Sequence, residues 1–248
     1  MKVFAQWRFA ASMTAVGIVT ILAIFAIAKE KESAKKAVDS GSFGVFNGEH
    51  RLATETFTIA QGAQGSIVSS EFKSEQGEQK AEQSSRLELT PSVELREYTW
   101  KEVLPEKNQV TVTPNESFLI ERFSTGEKLH DQNFLLPAST TILDDYSFIQ
   151  REVLAWKYLH TACKSEKGSL GCPKGQKMEF GTLNPHARSS MPVSIEFGGV
   201  EKVTIRGKQL DLSRFNLHAE TGDWTYWLDD QLKLVRLQSD GGMEVVRD

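Results

Sequence analysis

Cysteine is scarce in this chain, two residues in 248, and the other markers of specialised scaffolds are thin as well. Two cysteines cannot build a disulfide framework, 7 Pro and 18 Gly leave no collagenous or Pro-rich tract, and no internal period marks a solenoid or propeller. An excess of positive charge is also missing. With 29 Lys+Arg against 33 Asp+Glu the formal net charge is −4, which argues against a basic surface tracking a nucleic-acid backbone, so no nucleic-acid partner is expected. Signatures of common chemistries are absent too: there is no G-x-S-x-G elbow for a strained nucleophilic serine, no Gly-rich phosphate loop and no H-E-x-x-H pair. The five histidines, His50, His130, His160, His186 and His218, stand alone in the sequence. No metal site and no cofactor are therefore expected, and the chain does not read as an enzyme.

One long apolar run is present. Residues 9–28 carry no charge over 20 positions, and as a helix rising ~1.5 Å per residue they span about 30 Å, the thickness of a bilayer core. Residues 1–8 form a short lead with Lys2 and Arg8. Two fates are open for this segment: a retained transmembrane signal-anchor, or a signal peptide cleaved after Ala26-Ile27-Ala28, although its apolar stretch exceeds the usual ~7–15 residues. In both cases the remainder is exported. Residues 29–42 are charged and small and read as a polar linker, with a β-rich domain expected over 43–248. Cys163 and Cys172 bracket KSEKGSLG. Their spacing suits neither a redox pair nor zinc, and in an exported chain it allows a disulfide, a reduced pair being the alternative.

From Phe43 onward the pattern is that of strands. Asn47-Gly48 lies between two strand-like runs and predicts a tight hairpin. Ala53, Glu55, Phe57 and Ile59 then alternate with polar neighbours at a period of two. Similar short runs recur to the end, among them NQVTVTP, SFLIERF, MPVSIEF, DWTYWL and KLVRLQ, while SEQGEQKAEQSSR reads as an exposed connection or the solvent end of two long strands. Asp229-Asp230 falls between two of these runs and reads as a turn, because Asp bonds its own backbone there. One segment departs from the pattern. In TTILDDYSFIQREVLAWKYLHTAC, Asp144 or Asp145 can cap a helix of about four turns, with Tyr146, Ile149, Val153, Trp156 and His160 along one face. The expected fold is mainly β (α+β): a curved antiparallel sheet or incomplete β-barrel packed on one central amphipathic helix, preceded by an N-terminal transmembrane helix.

The stretches VFNGEHRLATETFTI, LPASTTILDDYSFIQREVLAWKY and WTYWLDDQLKLVRLQSDGGMEVVRD resemble uncharacterised exported bacterial envelope proteins. These in turn are similar to the lipoprotein-localisation carrier superfamily, in which an incomplete barrel wraps helical elements and binds acyl chains. One departure is Leu232, where such a turn would carry Gly for a left-handed backbone. The resemblance implies a bacterial envelope protein with a lipid or lipoprotein ligand. Carriers of that superfamily are soluble or lipid-anchored, whereas the run 9–28 points to the inner membrane with the domain in the periplasm, a cleaved signal leaving a soluble periplasmic or secreted protein being the alternative. The residues expected to line an apolar groove are Phe57, Ile59, Trp156, Tyr158, Trp224 and Tyr226. The competing expectation is a structural module that fills its own core and meets an envelope protein partner through strand edges or the basic loop of Lys164, Lys167, Lys174 and Lys177.

Overall fold

The computed structural model describes residues 35–74, 80–125, 128–166 and 169–248. The expected lead 1–8, the apolar span 9–28 and most of the linker 29–42 lie outside them. Among the described residues no helix is long and apolar enough to cross a membrane.

Eight strands follow one another as an antiparallel meander: β1 (Lys36–Asn47), β2 (His50–Gly62), β3 (Gly65–Ser74), β4 (Glu82–Leu89), β5 (Leu95–Leu104), β6 (Asn108–Asn115), β7 (Phe118–Thr125) and β8 (Lys128–Phe134). The chain then leaves the sheet through the short β9 (Thr141–Ile142) and one helix, α1 (Gln150–Ala162). A small hairpin, β10 (Lys164–Glu166) and β11 (Ser169–Gly171), is closed by the Cys163–Cys172 disulfide. A second meander returns: β12 (Lys177–Asn184), β13 (Ser189–Ile205), β14 (Lys208–Ala219), β15 (Gly222–Leu228), β16 (Leu234–Ser239) and β17 (Met243–Arg247). β17 pairs antiparallel with β1, Phe43 opposite Arg247 and Val45 opposite Val245, which joins the two meanders into one 15-stranded sheet. β8 and β9 are its unpaired edges, so the large curved sheet stays open.

Two local expectations change and a third narrows. Residues 36–42 are not linker but the start of β1, because their backbone pairs with 56–61 of β2 even though their side chains are mostly small or polar. The first hairpin turns on Gly48-Glu49, one residue later than Asn47-Gly48, with Gly48 at φ +59 as the first central residue of a primed turn requires. Of the two readings of SEQGEQKAEQSSR, the end of two long strands holds, since Ser74 closes β3 and Glu82–Arg86 open β4.

Period two decides which side of β2 is buried: Ala53, Glu55, Phe57 and Ile59 all face the core. A carboxylate in that apolar row needs partners, and α1 supplies them. The Ser147 hydroxyl donates to Glu55 Oε1 at 3.2 Å, the Phe148 N–H to Oε2 at 2.8 Å, and the Ile149 N–H to Oε2 at 3.3 Å. Glu55 thus caps the helix from across the fold, satisfying N–H groups that lack partners at any helix start. This explains why α1 begins at Gln150 and not beside Asp144. Asp144 folds back on itself, accepting from the Tyr146 N–H (3.0 Å) and the Tyr98 hydroxyl (2.9 Å), while Gln150 Oε1 accepts from the Asp144 N–H (2.7 Å). Burial pushes the Glu55 carboxyl up to about 7 against these hydrogen bonds.

Val153, Leu154, Ala155 and Tyr158 sink into the main core with Phe43, Ile59 and Phe215. Burying each large side chain of this kind contributes about 1.5–3 kcal/mol. The aromatic alternation of β15 resolves into burial on both sides. Tyr226 joins the main core, whereas Trp227 packs on the opposite face against Val203 and Leu212. A bulge at Gly199, with φ +106, bends the long β13–β14 hairpin so that its distal half reaches that face.

Candidate functional site

Space opens where the second half of α1 leaves the sheet. A cleft of about 390 Å³ lies between α1, the start of β1 and two turns. α1 contributes Trp156, Leu159 and His160. β1 contributes Val38, the extra residue of a bulge between Ala37 and Asp39, and a bulge re-aims the side chain it inserts.

The two turns have unusual backbones. Between β4 and β5 the chain closes with Thr90 N–H to the Glu94 carbonyl (2.8 Å) and Val93 N–H to the Thr90 carbonyl (3.0 Å), leaving Val93 at φ +62. Between β15 and β16, Asp229 Oδ1 accepts from the Gln231 and Lys233 N–H groups (both 2.9 Å), which makes the Asp229-Asp230 stretch the expected turn and leaves Leu232 at φ +62. Left-handed backbone is disfavoured for any side chain with a Cβ and most for a β-branched one. Both strained residues line the same cleft. The Trp156 indole N–H donates to the Leu232 carbonyl at 2.7 Å and so fixes one turn against the helix.

Beneath the cleft lies a charged floor. Arg247 grips Asp39 with two hydrogen bonds of 3.0 and 2.6 Å, and Lys233 Nζ is 3.5 Å from the same carboxylate. Glu152 Oε2 accepts from the Leu234 N–H (2.6 Å) and lies 3.5 Å from Arg247, while its Oε1 has no partner among the described residues. Burial pushes the Glu152 carboxyl up to about 8, the Asp39 and Asp229 charges adding to it and the Leu234 N–H and Arg247 opposing. Near neutral pH Glu152 therefore holds its proton. Lys233 and Arg247 are then matched by the Asp39 and Asp229 carboxylates, so the floor carries no excess of either sign, and Lys233 is the cation that lines the cleft itself.

The six residues expected to line a groove separate. Phe57 stacks on Phe43 with centroids 4.7 Å apart, and Ile59 is buried beside it in the core. Tyr158 is fully buried, its hydroxyl donating to the Gln176 carbonyl at 2.8 Å, and Tyr226 is fully buried as well. Trp224 is half-buried beside Phe148. Trp156 alone of the six lines the cleft, because α1 fills the concave face wherever it runs over β2 and β15. Val38, Val93, Leu159 and Lys233 were missed. A large apolar residue at a turn position that favours Gly or Asn was the available signal at Leu232, and TPSVE carries none at Val93.

Fold and cleft together define a class: an open antiparallel β-sheet folded around one helix, with an apolar mouth at the helix's side. Among solved structures the chain is similar to a DUF1089 family protein from Pseudomonas aeruginosa, at 12% identity and a TM-score of 0.47 over 75% of this chain and 89% of that one. No family model and no curated protein matches the chain.

Proposed function

We propose that the protein binds an anionic amphiphile at the envelope membrane, the acyl chain in the Trp156 cleft and the head group over Lys233. The observation that carries this reading is that Val93 and Leu232, both apolar and both in left-handed backbone, converge on one cleft. Such strain costs on the order of 1–3 kcal/mol per residue, and a turn alone gives no reason to bear it with Val and Leu. The volume falls in the usual range for ligand pockets, and each buried CH2 contributes about 0.8 kcal/mol, so retention needs no catalytic group. Lys233, the cation lining the cleft, supports an anionic head group, and the uncharged run at 9–28 supports a position at the inner membrane with the domain in the periplasm.

The test is photocross-linking of the full chain in its own membrane, with p-benzoylphenylalanine at position 38 and, as a control on the far side of the β13–β14 hairpin, at position 210. A lipid adduct at 38 and none at 210 is expected. Adducts to protein alone at 38 would replace this reading with that of a protein-interaction module.

A further inference from the structure

Strand β5 begins beside the Val93 turn, and its other end reaches a second, chemically different cavity of about 350 Å³. Its walls carry Trp100, Glu102, Glu106, Phe123, His186 and Arg188. Register places Trp100, Val110 and Phe123 on one rung, and Tyr98, Val112 and Glu121 on the next rung inward. Glu121 is fully buried, and neither of its carboxylate oxygens has a partner among the described residues. Burial pushes it up to about 7, with the Arg188 charge opposing and Asp144 adding.

The wall carboxylate, by contrast, is held in place. Trp100 Nε1–H donates to Gln83 Oε1 (2.6 Å), Gln83 Nε2–H to Glu102 Oε1 (3.4 Å), and Asn108 Nδ2–H to Glu102 Oε2 (2.7 Å). His186 sits edge-on between Trp100 and Tyr146, at 4.9 and 4.7 Å, with Nδ1 buried and unpartnered among the described residues. The Arg188 guanidinium lies 4.3 Å from the Phe123 centroid, so that ring face already accepts a planar cation. Arg188 itself is held at φ +51 in the β12–β13 turn.

On the wall Glu102 and Glu106 outnumber Arg188 as formal charges, and the unpartnered Glu121 lies one rung behind the wall. An anion would be repelled by this arrangement. A metal ion needs carboxylates converging on one point, and no group of three possible ligands converges so among the described residues. We propose that this cavity binds a small organic cation, an alkylammonium or alkylguanidinium group, seated against Glu102 and the aromatic walls above Glu121.

Isothermal titration of the full chain in non-ionic detergent at pH 8.5, where Glu121 is ionised, tests this with butylguanidinium, butylammonium and neutral pentan-1-ol. The cations bind saturably and at least tenfold more tightly than the alcohol, and Glu102→Gln and Glu121→Gln each raise Kd about tenfold. Glu102→Gln, at the wall, keeps the test decisive if the buried substitution unfolds the chain. Equal affinity for pentan-1-ol, no saturable cation binding, or an unchanged Kd in Glu102→Gln overturns the proposal.

Discussion

The start of α1 and the flank it turns to the cleft are built by opposite rules. At the start, Glu55, Asp144 and Gln150 Oε1 take up the N–H and hydroxyl groups around them, Arg151 Nη1 donates to the Asp144 and Ser147 carbonyls at 2.7 and 2.8 Å, and Gln150 Nε2 is left without a partner among the described residues. On the flank, Glu152 keeps one oxygen unpartnered, and two turns hold Val and Leu in left-handed backbone. Dense polar networks fix a single arrangement, whereas unrelieved strain and open apolar surface cost stability and persist where a fold does something else with them. The first end anchors the helix, and the second is the part offered to a ligand.

The largest effect comes from breaking the hydrogen-bonded end. Glu55→Ala strands the Phe148 and Ile149 N–H groups in the core, and a loss of about 3–5 kcal/mol is expected in urea denaturation, since removing one member of a buried charged hydrogen-bond set leaves the others unpaired. Glu55→Gln, which keeps an acceptor, should lose less than half of that. A smaller but more general effect follows from pH. Glu55, at about 7, and Glu152, at about 8, both have folded pKa values above the unfolded carboxylate value. The folded state then binds more protons than the unfolded one, so the stability they contribute is full below about pH 4.5 and is lost as pH rises through 7 to 8. A denaturation midpoint that falls between pH 5 and 9, with a shallower fall in Glu152→Gln, is the expected result, and a midpoint rising over that range would sink the assignment.

Legibility in the sequence followed how local each cause was. Period two along β2, the Asp229 turn and the single helix depend on neighbours in the chain, and all were readable. The helix start was not, because its cap comes from Glu55, more than 90 residues upstream, and no local motif records that pairing. Trp156 lines a cleft whereas Phe57 and Tyr226 are buried in the core, since hydrophobic alternation identifies a buried face without saying whether a helix already covers it. Val93 was hidden for another reason. Its left-handed backbone follows from the Thr90–Glu94 turn closing beneath the cleft, and TPSVE gives no composition signal for a valine under strain.

The Cys163–Cys172 disulfide tests whether the end of α1 is held independently of the cleft. A loop this short contributes about 2–3 kcal/mol through the unfolded chain, so Cys163→Ser with Cys172→Ser should lower the unfolding free energy from urea denaturation by that amount while leaving the position-38 lipid adduct in place.

The smallest change in stability separates the two regions most sharply. Val93→Gly and Leu232→Gly remove the left-handed strain, worth roughly 1–2 kcal/mol each, and lose the packing of side chains that are only half-buried. The two contributions nearly cancel, so the melting temperature should stay within a few degrees of the parent or rise. Acyl contact has no such compensation: the cleft loses one wall in each variant, and the lipid adduct at position 38 should fall severalfold. A substitution that leaves or improves stability while emptying the cleft is what strain maintained for binding predicts. Strain that merely accompanies a tight turn predicts the same stability with the adduct undiminished.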